Sequence, residues 1–324
     1  MKIFQTSVFE DLCFSEPVGI ASSHLTGDEK SLDAILEQCP PFLTLKSTSQ
    51  RYGANGVGNR EFRHLEKIGL GKSFYSFGPY ELELLNVART IQLIDYVKKK
   101  NKEVKLGVSI LLSEEMPPIL QALGKSNYDY LEVNLKYFTR EIQQVFRNDP
   151  ISVIETSFSK IGEAISECLK LSQKPVFLKI TRDMPWLVSY KFMEILSRLS
   201  VNKRIGLVVA NSRRLITPPN SDKLIDTLKD KASINKLYGA VSGNILFPET
   251  LTIIKELREI TQMPIIASGG IMSGSDVVLA KFFGATAVQI CTVINVRGIS
   301  SINDIRHEIS DILDQLNKGS FSEI

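Results

Sequence analysis

The sequence predicts an α/β protein built as a (β/α)8 barrel, the TIM-barrel architecture, with a small N-terminal hairpin and long loops over the C-terminal face. Three observations carry that expectation. Eight short apolar runs rich in branched residues recur along the 324 residues. Amphipathic stretches with apolar residues at three- and four-residue intervals lie between them. The last two runs, Ile265–Ser268 and Ala287–Ile290, lead into Gly269-Gly270 and Cys291-Thr292. Backbone N–H groups beside such small residues can grip a phosphate without a basic side chain. Alternating strands and helices mean a parallel sheet, and eight strands favour a closed barrel over an open sheet. In such barrels the loops after strands seven and eight commonly bind phosphate.

The expected strands follow in order. Val18–Ala21, Phe42–Lys46, Lys105–Ile110 and Tyr130–Leu135 are the first four. Val176–Ile180, Gly206–Ala210, Ile265–Ser268 and Ala287–Ile290 are the second four. Each is apolar on both faces, as a strand covered by helices on one side and a barrel interior on the other must be. Helical periodicity covers Leu84–Lys100, Phe158–Leu171, Tyr190–Leu199, Pro248–Ile260 and Ser275–Phe283. Ser275 and Asp276 are positioned to cap the last of these, and Gly284 to stop it. Thr6–Phe14 reads as a hairpin or barrel plug, and Arg51–Lys72, charged and glycine-rich, as a long loop over one barrel face. With no repeat, low-complexity tract or linker in view, residues 1–324 read as a single domain.

Composition narrows the function classes. A net charge of +3 is too small for a nucleic-acid surface, and Lys98-Lys99-Lys100 reads as a solvated helix end. The four cysteines, Cys13, Cys39, Cys168 and Cys291, are scattered without a CxxC, so no metal or iron–sulfur ligation within the chain is expected. The N-terminus lacks the apolar core of a signal peptide, and no run approaches membrane-spanning length. The expectation is a cytoplasmic protein with reduced thiols and no membrane partner.

Barrel active sites form at the C-terminal strand ends. Reading those ends in turn gives Ser22 and Ser23, Lys46, Asn134, Lys179, Asn211 and the Gly269-Gly270 pair. Taken singly, each lysine reads as a strand-end side chain reaching solvent. Taken together, two lysines and two asparagines at one mouth are costly to bury without partners, and an anionic, hydrogen-bonding ligand would satisfy them. Cys291 reads as a small packed residue rather than a nucleophile.

These motifs, in this order, resemble the dihydroorotate dehydrogenase family over roughly Val18 to Ile294. Ala21-Ser22-Ser23, Lys46-Ser47-Thr48, Glu132-Val133-Asn134-Leu135 and Leu178-Lys179-Ile180 are similar to family elements after successive strands. So are Ala210-Asn211-Ser212, Gly239-Ala240-Val241-Ser242-Gly243, Ser268-Gly269-Gly270-Ile271 and Gln289-Ile290-Cys291-Thr292. The resemblance is to the soluble, class 1-like branch. It implies an FMN cofactor, an oxidoreductase transferring hydride between flavin and a C–C bond beside a carbonyl, and a connection with pyrimidine metabolism. By the same resemblance Ala21, Ser22, Lys46, Ser47, Asn134, Lys179 and Asn211 contact the flavin. The segments at Ser242, Gly243, Ser268, Gly269, Gly270, Cys291 and Thr292 hold its phosphate. Lys46, Asn134, Asn211 and Ser212 face a small-molecule substrate. A homodimer or a separate reductase chain are the partners such a protein would have.

The chain departs from the family pattern where the chemistry is decided. Three residues after Asn134, where the family carries Cys or Ser as general base, stands Tyr137, followed by Phe138 and Thr139. The family's substrate-reading loop matches Phe74–Tyr80 only through Pro79, which places Phe74 and Tyr80 where amide side chains are expected. A tyrosine hydroxyl is a weak base near neutral pH but a workable proton donor. Tyr137, with Lys46 and Asn134, is thus the candidate catalytic set. The alternative is that Tyr137 only packs on a rearranged loop. Aromatic replacements suit a flatter, less polar substrate than dihydroorotate. Three other readings stand beside this one: an authentic dihydroorotate dehydrogenase with a displaced base, a non-catalytic flavin-binding relative, and a phosphate-binding lyase or isomerase using Lys179 as a Schiff-base nucleophile.

Overall fold

The computed structural model describes residues 6–49, 65–68, 73–79, 84–113, 115–135, 150–180, 194–195, 197–198, 204–216 and 238–318. It opens with an antiparallel hairpin, β1 (Thr6–Phe9) and β2 (Leu12–Phe14). The strands then run β3 (Val18–Ile20), β4 (Phe42–Thr48), β5 (Leu65–Ile68), β6 (Ser73–Pro79), β7 (Lys105–Leu111) and β8 (Tyr130–Asn134). They continue with β9 (Val176–Lys179), β10 (Ile205–Val209), β11 (Arg213–Ile216), β12 (Tyr238–Gly243), β13 (Ile265–Ser268) and β14 (Ala287–Ile290). Eight of these, β3, β4, β7, β8, β9, β10, β13 and β14, pair in parallel in chain order, and β14 pairs with β3 to close a barrel. They are the eight expected strands, with bounds within two residues of the sequence reading.

Strand alternation explains both faces of the barrel. Leu43 and Leu45, Leu106, Val108 and Ile110, and Leu131 and Val133 join the core beneath the helices. The residues between them point inward. At the N-terminal end of the barrel Phe42, Tyr130 and Phe177 fill the interior together with Val8, Phe9, Leu12 and Phe14 of the hairpin. Phe14 stacks on Phe42 at 3.9 Å between ring centroids, and Phe9 meets Phe177 edge-on at 5.6 Å. The hairpin is therefore the plug that the alternating pattern of Thr6–Phe14 suggests. The three large rings fit because inward-facing positions on neighbouring strands are glycine. A Cβ on Gly19, Gly107 or Gly206 would lie 2.5, 2.3 or 2.6 Å from Phe42, Tyr130 or Phe177 respectively.

The helices are α1 (Glu29–Leu36), α2 (Val87–Lys100), α3 (Met116–Leu123), α4 (Pro150–Leu171), α5 (Phe247–Ile260), α6 (Gly274–Phe282), α7 (Thr292–Arg297) and α8 (Ser301–Asn317). Caps set their starts: Asp28 accepts from Ser31 N at 2.9 Å, and Asn86 from Arg89 N at 2.8 Å. For α6 the cap is Ser273 rather than Ser275, forming a capping box with Asp276. The Pro150 start of α4 lies well before the expected Phe158, because Pro suits a first helical turn. Of the expected helix Tyr190–Leu199, residues 194–195 and 197–198 are described, and they are helical. The helix α8 is an addition to the sequence reading. Its Arg306 donates to Glu16 Oε2 at 2.7 Å and to the carbonyls of Gln38 and Cys39 at 2.6 and 2.8 Å, clamping α8 to the segments that lead into β3 and β4.

Two further readings change. Leu65–Ile68 of the expected loop Arg51–Lys72 is the strand β5, while residues 51–64 and 69–72 lie outside the described residues. With β6, β11 and β12 it makes a four-stranded antiparallel sheet in the order β11-β12-β6-β5. Its strands leave from the barrel after β4 and β10, so it extends the C-terminal face. Lys98, expected to be solvated, is buried. Its ammonium donates to Asp129 Oδ2 at 2.6 Å and to the Val104 carbonyl at 2.8 Å. A helical period places Lys98 on the apolar face of α2 with Ile94, where only a paired cation is tolerated.

Candidate active site at the barrel mouth

The expected site residues sit at the C-terminal ends of the barrel strands or immediately after them. Ala21 and Ser22 follow β3, Lys46 and Ser47 lie near the end of β4, and Asn134 and Lys179 terminate β8 and β9. Asn211 and Ser212 follow β10, Ser268 ends β13, and Cys291 follows β14. Hydrogen bonds join neighbours around the rim. Ser22 Oγ lies 3.4 Å from Ser47 Oγ, which lies 2.9 Å from Ser109 Oγ on β7. Asn211 Nδ2 donates to Asn134 Oδ1 at 2.7 Å, spanning the strand that carries Lys179. Asn134 and Lys179 are themselves register partners on β8 and β9. Lys46 is half-buried, and its stem crosses Gly27, where a Cβ would lie 2.8 Å from Lys46 Cδ.

A second group converges from the last loops. Thr292 Oγ1 donates to Ser242 Oγ at 3.2 Å, which joins the end of β12 to the chain after β14. Thr250 Oγ1 donates to the Gly269 carbonyl at 2.7 Å, and Gly270 packs against the backbone of Phe247 so closely that a Cβ there would sit 2.3 Å from its nitrogen. Gly243, Gly269 and Gly270 have φ of 115, 104 and 86°, values that L side chains rarely adopt. Two turns built on these glycines, one at Gly243 and one at Gly269-Gly270, bring main-chain groups, rather than bulky side chains, to one place.

The interior below the mouth is polar. Lys179 Nζ donates to Glu132 Oε1 at 3.2 Å, and the residues are 4 and 0% exposed. Glu132 Oε2 has no partner. One layer away Gln289 Nε2 donates to Thr44 Oγ1 at 2.8 Å, Thr44 shares a 2.8 Å hydrogen bond with the Tyr130 hydroxyl, and Gln289 Oε1 is also unpartnered. Burial pushes the Tyr130 phenol far above its ordinary range. Burial likewise pushes the Cys291 thiol up, against the hydrogen bond of Ser23, the nearby Lys179 ammonium and Asn295. Cys291 therefore lies within the field of Lys179 across the mouth, and with its thiol pushed up this half-buried residue is a poor nucleophile.

Tyr137 and Tyr80 lie outside the described residues. Phe74 is described as backbone only, on β6 opposite Lys67 of β5. Glu132 is the residue the sequence reading missed. The signal was present: a carboxylate in an apolar strand, two residues before Asn134 and so on the same inward face. Among the described residues no cluster of three or more His, Cys, Asp or Glu could hold a metal ion, and no helix is long and apolar enough to cross a membrane.

A buried lysine with donors to spare, an asparagine pair and a main-chain cradle fit a ligand that is anionic at one end and rich in hydrogen-bonding groups at the other. FMN is such a ligand.

Comparison with known proteins agrees in direction. The family model described as dihydroorotate dehydrogenase matches residues 6–313. The chain is 26% identical, over 67% of its length and 73% of the relative's, to a putative dihydroorotate dehydrogenase A (fumarate) of Pediococcus pentosaceus. It is 27% identical, over 97% of its length and 82% of the relative's, to a dihydroorotate dehydrogenase (quinone) of Rhodopseudomonas palustris strain TIE-1. It is 30% identical, over about half of each chain (50 and 51%), to the catalytic subunit of a dihydroorotate dehydrogenase B (NAD(+)) of Saccharolobus solfataricus.

Proposed function

Because this chain belongs to the dihydroorotate dehydrogenase family, oxidoreductases that act on CH–CH groups, we propose that it holds FMN in the barrel mouth and reduces or oxidises a C–C bond beside a carbonyl. The observation that carries the reading is the meeting of the Lys179 ammonium, the Asn134–Asn211 pair and the Gly269-Gly270 turn at one end of the barrel. Bound there, FMN supplies the hydride acceptor or donor.

The chain's own residues do the rest. Main-chain amides at Gly243, Gly269, Gly270, Cys291 and Thr292 hold the phosphate, and Ser242 and Ser268 flank them. Lys46 and Lys179 would lie beside the ring and its ribityl chain, where any net positive charge favours the reduced, more negative form. Ala21, Ser22 and Ser47 line the adjoining rim. Asn134, Asn211 and Ser212 orient the carbonyl of the substrate. Tyr137 holds the proton at its hydroxyl and delivers it to the carbon that does not take part in hydride transfer. Phe74 and Tyr80 favour a flat substrate less polar than dihydroorotate. The protein works in the cytoplasm with a soluble acceptor or a separate reductase chain.

The test is anaerobic reduction of the FMN-loaded protein by a panel of dihydro compounds that includes dihydroorotate. Bleaching of the flavin band by a less polar compound, with slow or absent bleaching by dihydroorotate, is the expected result. Fast bleaching by dihydroorotate alone would restore the pyrimidine-biosynthetic reading. Bleaching by none would leave a flavin-binding relative without this activity.

A further inference from the structure

The Glu132–Lys179 pair is expensive. Both side chains are buried, at 0 and 4% exposure, and a 3.2 Å contact joins them through one carboxylate oxygen only. A buried ion pair is commonly no more stabilising than well-packed apolar residues of the same volume, and it returns its desolvation cost only when the remaining donors and acceptors are also satisfied. Here they are not. Glu132 Oε2 has no partner, and Lys179 spends one of three N–H donors on Glu132. Stability alone does not account for such a pair.

Its placement suggests what does. Glu132 faces inward two residues before Asn134, one layer below the rim, whereas Lys179 is level with Asn134 across the ladder. The carboxylate is thus set behind the lysine, away from the mouth. It faces the Tyr130–Thr44–Gln289 layer, where it raises the Tyr130 phenol further.

We infer that Glu132 is a positioning residue whose buried carboxylate holds the Lys179 ammonium and offsets its charge, so that the flavin is presented with a neutral pair rather than a full cation. The inference rests on the FMN reading above. An uncompensated cation would stabilise the reduced flavin, because that form carries the greater negative charge. The carboxylate therefore keeps the flavin a weaker oxidant than Lys179 alone would make it.

The test is equilibrium reduction of FMN-loaded wild type and Glu132→Gln against a redox dye at a fixed solution potential. The reduced-to-oxidised ratio of Glu132→Gln should rise about tenfold, ~30 mV for a two-electron couple. In a Lys179→Met background the same substitution should change the ratio by less than about threefold, since a buried carboxylate left without its cation is neutralised and Gln then replaces an uncharged group. An unchanged ratio in Glu132→Gln, or an equal rise without Lys179, overturns the inference; a merely structural role would move the melting temperature and leave the ratio in place. If Glu132→Gln does not fold, the doubly neutral E132Q/K179M protein decides. A ratio within about threefold of wild type supports a pair presenting no net charge, and a tenfold fall shows that the flavin had felt the whole cation. Wild type that takes up no FMN overturns the parent reading and this one together. FMN uptake with unshifted ratios overturns this one alone.

Discussion

Phe14→Ala separates what holds the barrel from what works in it. Phe14 is fully buried, stacked on Phe42 at 3.9 Å and 14° between ring planes, and edge-on to Tyr130 at 6.0 Å. Exposing a ring of this size forfeits roughly 2–3 kcal/mol of transfer free energy. Each aromatic contact adds about 0.5–1.5 kcal/mol. The barrel wall is closed by parallel pairing, so it cannot collapse far into the space left. The loss should fall at about 3–5 kcal/mol, within the usual range for a buried Phe→Ala. The ring lies at the N-terminal end of the barrel, while the expected FMN residues lie at the other. Thermal melting of the apo protein should shift down by roughly 4–7 °C, with FMN affinity changed less than about threefold. A stability loss below about 1 kcal/mol would refute the plug. A large loss of FMN affinity in a protein that remains folded would refute the separation of the two ends.

Other outcomes follow from the same geometry. Gly107→Ala drives a Cβ to 2.3 Å from the Tyr130 ring and should cost about 1–3 kcal/mol by overpacking; calorimetry showing no loss would contradict the large-and-small alternation of the barrel floor. Lys179→Met leaves the Glu132 carboxylate buried and unpaired, and should cost about 3–5 kcal/mol in the apo protein, most of it recovered in E132Q/K179M; additive losses in a denaturation series would contradict a coupled pair. Burial pushes the Cys168 thiol to about 12 and raises that of Cys291, whereas Cys13 and Cys39 are exposed. Alkylation of the native protein at pH 8, read by peptide mass, should therefore modify Cys13 and Cys39 first. Rapid labelling of Cys168 would show that its surroundings open.

Much of the barrel was legible because its strands are short apolar runs, and their two-residue alternation survives any change of loop. Ile265–Ser268 and Ala287–Ile290 are found at the bounds read from the sequence. The antiparallel sheet was not legible. Its strand Leu65–Ile68 mixes charged and apolar residues, and its pairing with Ser73–Ser76 is a tertiary choice that a glycine-rich neighbourhood conceals. Ser273 was missed as the cap of α6 because Ser275 also precedes apolar positions, and only backbone geometry separates them. Lys98 was misread because a run of three lysines suggests solvent, while helical phase turns the first of them inward. For the site, the strand-end lysines and asparagines could be read from position alone. The role of Glu132 could not, since a carboxylate inside a strand shows its meaning only when the cation it meets is known.

The central claim is that main-chain turns at the barrel mouth grasp the phosphate of a flavin whose ring lies beside Lys179. It is tested most directly by titrating apo protein with FMN and, in parallel, with riboflavin, which lacks the phosphate. The account predicts one FMN bound per chain and riboflavin bound at least about a hundredfold more weakly, some 2.7 kcal/mol. Equal affinity for the two, or no uptake of either, would contradict it.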